Sequence, residues 1–314
     1  LKPGINREGT RYTTEGGYYD GDKIRFRQGT PEKIGGWAQI STSTFEGVCR
    51  SLHNWITLGG QNLIGVGTHL KFYIENIGNY NDVTPLRATQ SLTNPFTTTS
   101  GSAVVTVTDA NGGYANGDYV TFSNASAVGG LTIDGEFVIS LSVITAANTY
   151  TITASSAASS TATGGGTVSA AYQINVGNPF AIPITGWGAA TWGQGAWGVG
   201  ESSITKIRFW SQSNFGEDLI FGNDGGSIYY WDATNGVSTR AVELSTLSEA
   251  SDVPVVQNII LVSDISRFVF CFGTNEIGSS AIDPTLLRWS DQENAANWTP
   301  SATNQAGSLR LSRG

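Results

Sequence analysis

The stretch Leu63-Ile64-Gly65-Val66-Gly67-Thr68-His69-Leu70-Lys71-Phe72-Tyr73 decides how the rest of the sequence is read. It gives an apolar strand, a tight glycine-containing turn and a second strand ending in aromatics. The plan returns at Leu219-Ile220-Phe221-Gly222-Asn223-Asp224-Gly225-Gly226, followed by Ser227-Ile228-Tyr229-Tyr230-Trp231-Asp232. A looser third copy runs from Phe268 through Asn275 and, after a longer turn, Leu286 to Asp291. Copies two and three begin about 50 residues apart, near the period of a propeller blade. Short strands ending in Trp precede the first two copies, at Ser51 to Trp55 and at Lys206 to Trp210. The expected fold is all-β: a partial β-propeller of blade-like antiparallel sheets carrying an inserted small β-barrel or β-sandwich. Unrelated hairpins in one β-sandwich are the competing architecture.

Composition supports short strands and turns. Of 314 residues, 40 are Gly and nine are Trp, and only 13% are charged. The best helical candidate, Asp283 to Trp298, has a broken pattern. No run of 18 apolar residues occurs, so no membrane span is expected. The net charge is -8, and no Lys or Arg occurs between Arg87 and Lys206. A surface that grips nucleic acid sets cations against phosphates, and this stretch has none to offer. Cys49 and Cys271 sit in apolar strand-like contexts and are expected to be buried free thiols. No signal peptide is visible. The sequence has no Met, and it is expected to be part of a longer chain.

Three regions follow from the composition. Residues 1–87 hold an N-terminal hairpin and the first blade. In the hairpin, Asp22 to Arg27 alternates apolar and cationic residues, Gln28-Gly29-Thr30-Pro31 turns the chain, and Glu32 to Trp37 returns it. Residues 88–172, rich in Ala, Ser, Thr, Gly and Val, form the inserted module. Its expected strands are Ala103–Thr108, Asp118–Phe122, Gly135–Val143, Thr149–Thr153 and Thr167–Tyr172, with Ser155–Gly166 a flexible loop or hairpin tip. Residues 173–314 hold a Gly/Trp loop and further blades, and are expected to continue past 314. In that loop Trp187, Trp192 and Trp197 recur every five residues, a spacing that fits neither helix nor strand. They are expected to plug a subunit interface; a sugar-stacking platform is the other option. The last residues, from Ala306, look like a strand cut short.

The chemistry of catalysis is sparse. His53 and His69 are the two histidines, with no metal spacing between them. Asp109, Asp118, Asp134 and Glu136 crowd the inserted region without a calcium-loop spacing. No cofactor and no metal are expected, and the chain is read as not an enzyme.

Some motifs resemble a known family. Gly16-Gly17-Tyr18-Tyr19-Asp20 with Lys23 to Trp37 looks like the opening of tail proteins from short-tailed bacteriophages. Gly65-Val66-Gly67-Thr68, Asp82-Val83-Thr84-Pro85, the Gly/Trp loop, Arg288-Trp289-Ser290-Asp291 and Asn297-Trp298-Thr299-Pro300 extend the likeness in order. Asn94 to Ser102 through Gly164-Gly165-Gly166 is similar to a β-module inserted in many phage structural proteins. The resemblance is to tail nozzle or hub proteins, tail tubular protein B-like or packaged-DNA stabilisation protein-like. It implies a virion protein forming a homo-oligomeric ring, typically sixfold, around a DNA exit conduit. The implied partners are adaptor, fibre or needle proteins and passing genomic DNA held without sequence specificity. A carbohydrate-binding adhesin using Trp187, Trp192 and Trp197 is the alternative.

Overall fold

The computed structural model describes residues 4–10, 12–13, 15–36, 39, 41–141, 148–177, 207 and 209–312. These residues form two compact units, Leu1–Thr42 and Ser43–Gly314. Every strand pairing in both is antiparallel: one two-stranded hairpin and five four-stranded sheets. Helical content among the described residues is two short 3-10 turns, at 233–235 and 244–246.

In the first unit, β1 (Ile24–Arg27) pairs with β2 (Thr30–Lys33). The loop is shorter than the expected Gln28–Pro31. Gln28 and Gly29 both take positive φ, 50° and 84°, which makes a two-residue turn that matches strand twist and releases Thr30 and Pro31 into β2. Ile24 and Phe26 are half-buried while Arg25 and Arg27 are exposed. Arg25 is not free: its Nε donates to Glu32 across the hairpin at 2.5 Å.

The second unit opens with a blade whose strands pair in chain order, β3 (Cys49–Ile56), β4 (Asn62–Thr68), β5 (Phe72–Asn76) and β6 (Asn79–Asp82). Gly65 and Gly67 lie inside β4 rather than in the turn. The turn is Thr68–Lys71, where the Thr68 hydroxyl accepts the Leu70 and Lys71 amides at 3.1 and 2.9 Å. The side chain, not a glycine, closes it.

Eight strands follow: β7 (Leu86–Thr93), β8 (Phe96–Thr98), β9 (Val104–Thr108), β10 (Tyr119–Ser123), β11 (Gly135–Val138), β12 (Thr149–Thr153), β13 (Ala162–Gly164) and β14 (Thr167–Gln173). They form two sheets, ordered β11-β10-β14-β7 and β12-β9-β8-β13. The Val/Thr alternation sends one face of each sheet inward. Val105, Val107, Tyr150 and Ile152 from one sheet meet Val120, Phe122, Val168 and Tyr172 from the other in one core, so the region is a β-sandwich. The expected flexibility of Ser155–Gly166 is overturned. Ala158 is buried, its amide bonds to Ser102 O at 2.9 Å, and β13 pairs with β8.

A second blade comprises β15 (Trp210–Phe215), β16 (Asp218–Asn223), β17 (Tyr229–Trp231) and β18 (Val242–Glu243). A third comprises β19 (Gln257–Val262), β20 (Val269–Asn275), β21 (Ile282–Trp289) and β22 (Gly307–Arg310). Trp210 therefore starts its strand instead of ending one. The strand expected from Ala306 is β22, which pairs with β21 as the fourth strand of the third blade.

The three blades stack face to face in sequence. Phe72 of the first stacks on Phe221 of the second, with centroids 3.9 Å apart and planes at 11°. Trp210 Nε1 donates to Thr68 O at 2.7 Å, and Trp55 Nε1 to Glu217 O at 2.8 Å. Ile220, Ile228 and Leu244 of the second blade share a core with Ile260, Val262, Val269 and Cys271 of the third. The first strands run side by side. His53 reaches Asn214 at 3.3 Å, and the hydroxyls of Ser211 and Ser213 accept the Ile260 and Val262 amides at 3.0 and 3.3 Å. This is a propeller-like array with first strands innermost, and the β-sandwich lies between blades one and two in the chain.

Glycine sets the spacing between blades. A Cβ on Gly67 would fall 2.6 Å from Cγ of Trp210, and one on Gly222 would fall 2.8 Å from Cδ1 of Ile260. Neither has positive φ, so close approach rather than backbone freedom requires them.

Candidate functional site

Trp187, Trp192 and Trp197, the expected interface residues, lie outside the described residues. The described side chains with functional potential fall into three places.

The first is a cavity of about 540 Å³ at one end of the contact between blades one and two. Leu63 and Trp231 supply an apolar wall, and Thr57, Asn76, Glu217 and Thr234 the polar groups. Glu217 is the one ionisable residue lining it, and its carboxylate already accepts the Leu58 amide at 2.5 Å. The two carboxylates needed to cleave a glycoside are not brought together there. Asn76 Oδ1 is buried and has no hydrogen-bond partner among the described residues.

The second is a polar latch between the first blade and the sandwich, which the sequence reading missed. Lys71, 5% exposed, leaves the β4–β5 turn and pairs with Glu136 on β11, Glu46 at 3.4 Å and Asp82 at 3.7 Å. Its ammonium also lies 4.8 Å from the Tyr119 ring centroid on β10. Burial alone would lower the Lys71 pKa, but the hydrogen bond and charge of Glu136, with Asp82, together raise it. Tyr119 is pushed up to about 12, by burial first and then by the Glu46 charge, against the pull of Lys71. Gln173 at the end of β14 donates to the other Glu136 oxygen at 2.7 Å. Arg240 of the second blade joins the cluster through Asp82 at 3.1 Å.

The remaining acidic residues of the sandwich are engaged as well. Asp118 faces Arg87 at 3.1 Å, close in distance though not aligned as a hydrogen bond, and accepts from Asn175 Nδ2 at 3.0 Å. Asp109 accepts the Tyr172 hydroxyl, which in turn lies 2.8 Å from the Tyr150 hydroxyl. Burial is the main cause that raises both tyrosines. Asp134 accepts the Ala125 amide at 2.9 Å. Among the described residues no group of three or more His, Cys, Asp or Glu is placed to hold a metal. His69 sits in the turn, where its Nδ1 accepts the Val48 amide at 2.9 Å; burial and Arg50 lower its pKa.

The third place is the third blade. Arg288, fully buried, lies beside a cavity of about 410 Å³ and donates to the carbonyls of Asn275 and Asp252 at 3.2 and 2.5 Å. Its guanidinium is 5.9 Å from the Trp298 ring centroid. These contacts tie two loops to the blade.

The latch had one signal in the sequence. A segment carrying Asp109, Asp118, Asp134 and Glu136, without one cation, has to find its counter-charges elsewhere. Arg87 and Lys71, the nearest upstream, supply them to Asp118 and Glu136. No helix of the described residues is long and apolar enough to cross a membrane.

The sequence matches no protein-family model and no curated protein. Among solved structures it is similar to one described as a phage phi92 endosialidase, at 16% identity and a TM-score of 0.26. The match covers 90% of this chain and 40% of that one, so the chain spans less than half the length of that protein. The fold assignment rests on the strand pairing above.

Proposed function

We propose that the chain is a non-catalytic structural component of a phage tail, a blade array that mounts a β-sandwich and assembles as a homo-oligomeric ring. In this reading it serves as nozzle or hub, giving passage to DNA and a platform for other tail proteins. The observation that carries the structural role is the use made of charge. Glu136, Asp118, Asp109 and Asp134 are each bonded to a partner that holds the sandwich together or fixes it to the blade. Carboxylates engaged by cations, hydroxyls and amides in this way stiffen a mount, whereas acid–base chemistry needs a group free to exchange a proton with substrate. The phage assignment is supported by the ordered motifs from Gly16 to Pro300. The conduit role is supported by the sandwich sequence, which carries no cation to hold a phosphate.

Electron microscopy of the purified assembly tests the reading. A ring with a central channel is expected, and a monomer without one refutes it. Polysaccharide hydrolysis lost in Glu217→Gln would also refute it. Glycan binding lost in Trp192→Ala would favour the adhesin instead.

A further inference from the structure

The two ends of the blade array are unequal to its middle. The side of blade one that turns toward blade two, and the side of blade two that turns toward blade three, are each covered by the next blade. In the third blade the alternation of β19, β20 and β21 divides the residues cleanly. Ile260 and Cys271 face the second blade and are buried. The opposite side carries a cross-strand row, Ile259–Phe272–Leu287–Leu309, with Leu261 and Phe270 paired beside it. Directly opposed residues on antiparallel strands share a face, so these six make one apolar surface across the whole sheet. It is open: Ile259 is 56% exposed, Leu261 51% and Leu309 53%. Phe272 is 37% exposed, and Phe270 and Leu287 in the same patch are half-buried. Scattered apolar residues on a surface are ordinary, but a contiguous sheet face of them marks an interaction site.

The other end of the array exposes the same kind of residue on the same kind of strand. On β3, Ser51, His53 and Trp55 face the second blade, and the alternate positions face away. Leu52 is 67% exposed and Ile56 64%. Farther out on that side, Phe45 packs on the rings of Tyr73 and Tyr80, at centroid distances of 6.2 and 5.0 Å. The free part is thus the inner strand, and inner strands adjoin one another along the array in the order β3, β15, β19.

We propose that the open face of the third blade is a subunit interface whose occupant is the first blade of a second copy, with its β3 seated beside β19. This inference rests on the oligomeric reading above and names the surface that would make it. The argument is continuity. Twice within one chain, the leading side of a blade is covered by the trailing side of the next, through its first strand. A head-to-tail contact repeats that succession and covers Leu52 and Ile56 together with Leu261 and Phe272. A face-to-face contact between two third blades would join leading side to leading side, a pairing that the chain does not use, and would leave Leu52 and Ile56 in water. Phe272 stands where the first blade has glycine, so this junction is wider and calls for aliphatic partners of the size that β3 offers. A head-to-tail contact closes a ring when its rotation permits and otherwise continues.

The experiment is sedimentation of the full chain and of two variants, Leu261→Asp and Leu52→Asp. Both positions are exposed in one copy, so both variants should fold, with an unchanged circular dichroism spectrum, and should melt below the wild type only by the stability that assembly adds. The wild type should sediment as an assembly. Each variant alone should lose association by about a hundredfold or more, since the contact would bury an unpaired carboxylate. Mixed, the two should form a one-to-one heterodimer, because Leu52→Asp retains an intact third-blade face and Leu261→Asp an intact β3. An assembly that persists in both variants overturns the head-to-tail contact and leaves the oligomeric reading standing. Loss of assembly in Leu261→Asp but not in Leu52→Asp points to the face-to-face contact and also overturns it. A wild type that stays monomeric overturns both.

Discussion

Replacing Gly67 by alanine tests the account of how blades are spaced. The added methyl would lie 2.6 Å from Cγ and 3.0 Å from Cβ of Trp210. Trp210 cannot yield easily. It is buried, it lies edge-on to Phe72 at 5.1 Å, and its Nε1 holds Thr68 O at 2.7 Å. Overpacking of this kind costs about 1–3 kcal/mol, and losing the indole hydrogen bond adds about 1 kcal/mol. The sum is about 2–4 kcal/mol, a fall in Tm of about 5–15 °C for a unit of this size. Differential scanning calorimetry measures it. Gly59→Ala is the control, since the nearest atom to its Cβ is Thr57 Oγ1 at 3.7 Å, and it should stay within about 0.5 kcal/mol of wild type. In a Trp210→Ala background the Gly67→Ala penalty should shrink by about 1–3 kcal/mol, because the colliding ring is gone. The reasoning fails if Gly67→Ala melts with the wild type, or if its penalty is undiminished without Trp210.

Lys71→Met takes the cation from Glu136 but leaves it the Gln173 amide, and should cost about 1–3 kcal/mol in urea unfolding, part of it recovered when Glu136→Gln is added. Tyr172→Phe strands the buried Asp109 carboxylate without its hydroxyl donor and should cost about 1–3 kcal/mol. The alkaline limb of stability follows from Lys71 and Tyr119, which both hold their protons more tightly in the fold than out of it. Their unfolded counterparts titrate at about 10.4 and 10, so their contribution is complete below about pH 10 and is lost as pH climbs through the folded values. The Cys271 thiol, raised by burial above an unfolded value of about 8.5, adds an earlier loss, so melting temperature should begin to fall near pH 8.5 and fall more steeply beyond about pH 10; a level profile to about pH 12 would contradict this. Cys271 is fully buried, with its thiol pushed up by burial, whereas Cys49 is half-buried. A thiol reagent should label Cys49 in the native protein and Cys271 only after unfolding.

The blades were legible because each hydrophobic run ends in an aromatic pair and a turn, and that order survives in Leu63–Tyr73, Leu219–Trp231 and Phe268–Trp289. The glycines of the first copy were misassigned for a physical reason. Glycine marks turns and close backbone approach alike, and the choice between them depended on Trp210, more than 140 residues away. Three strands of the sandwich escaped notice. β8 and β13 have three residues each, too short to show a period, and β7 interleaves Arg87, Gln90 and Ser91 with its apolar residues and has no fully buried position. The latch was hidden because Lys71 sits among apolar neighbours and Glu136, the partner that fixes it to the sandwich, lies on another sheet. The carboxylates were visible as a cluster, but their counter-ions were not.

The way the chain enters and leaves the sandwich has its own consequence. β7 and β14 are neighbours in one sheet, and just outside them the Ile174 amide bonds to Pro85 O at 3.1 Å. The host blade thus meets its passenger through two ends already zipped together, so the passenger's length makes no demand on the host. Another payload with adjacent ends could be grafted between Pro85 and Ile174 without redrawing the blades. The surrendered fastening at Lys71 would then fall back on Asp82 and Glu46, both carried by the host.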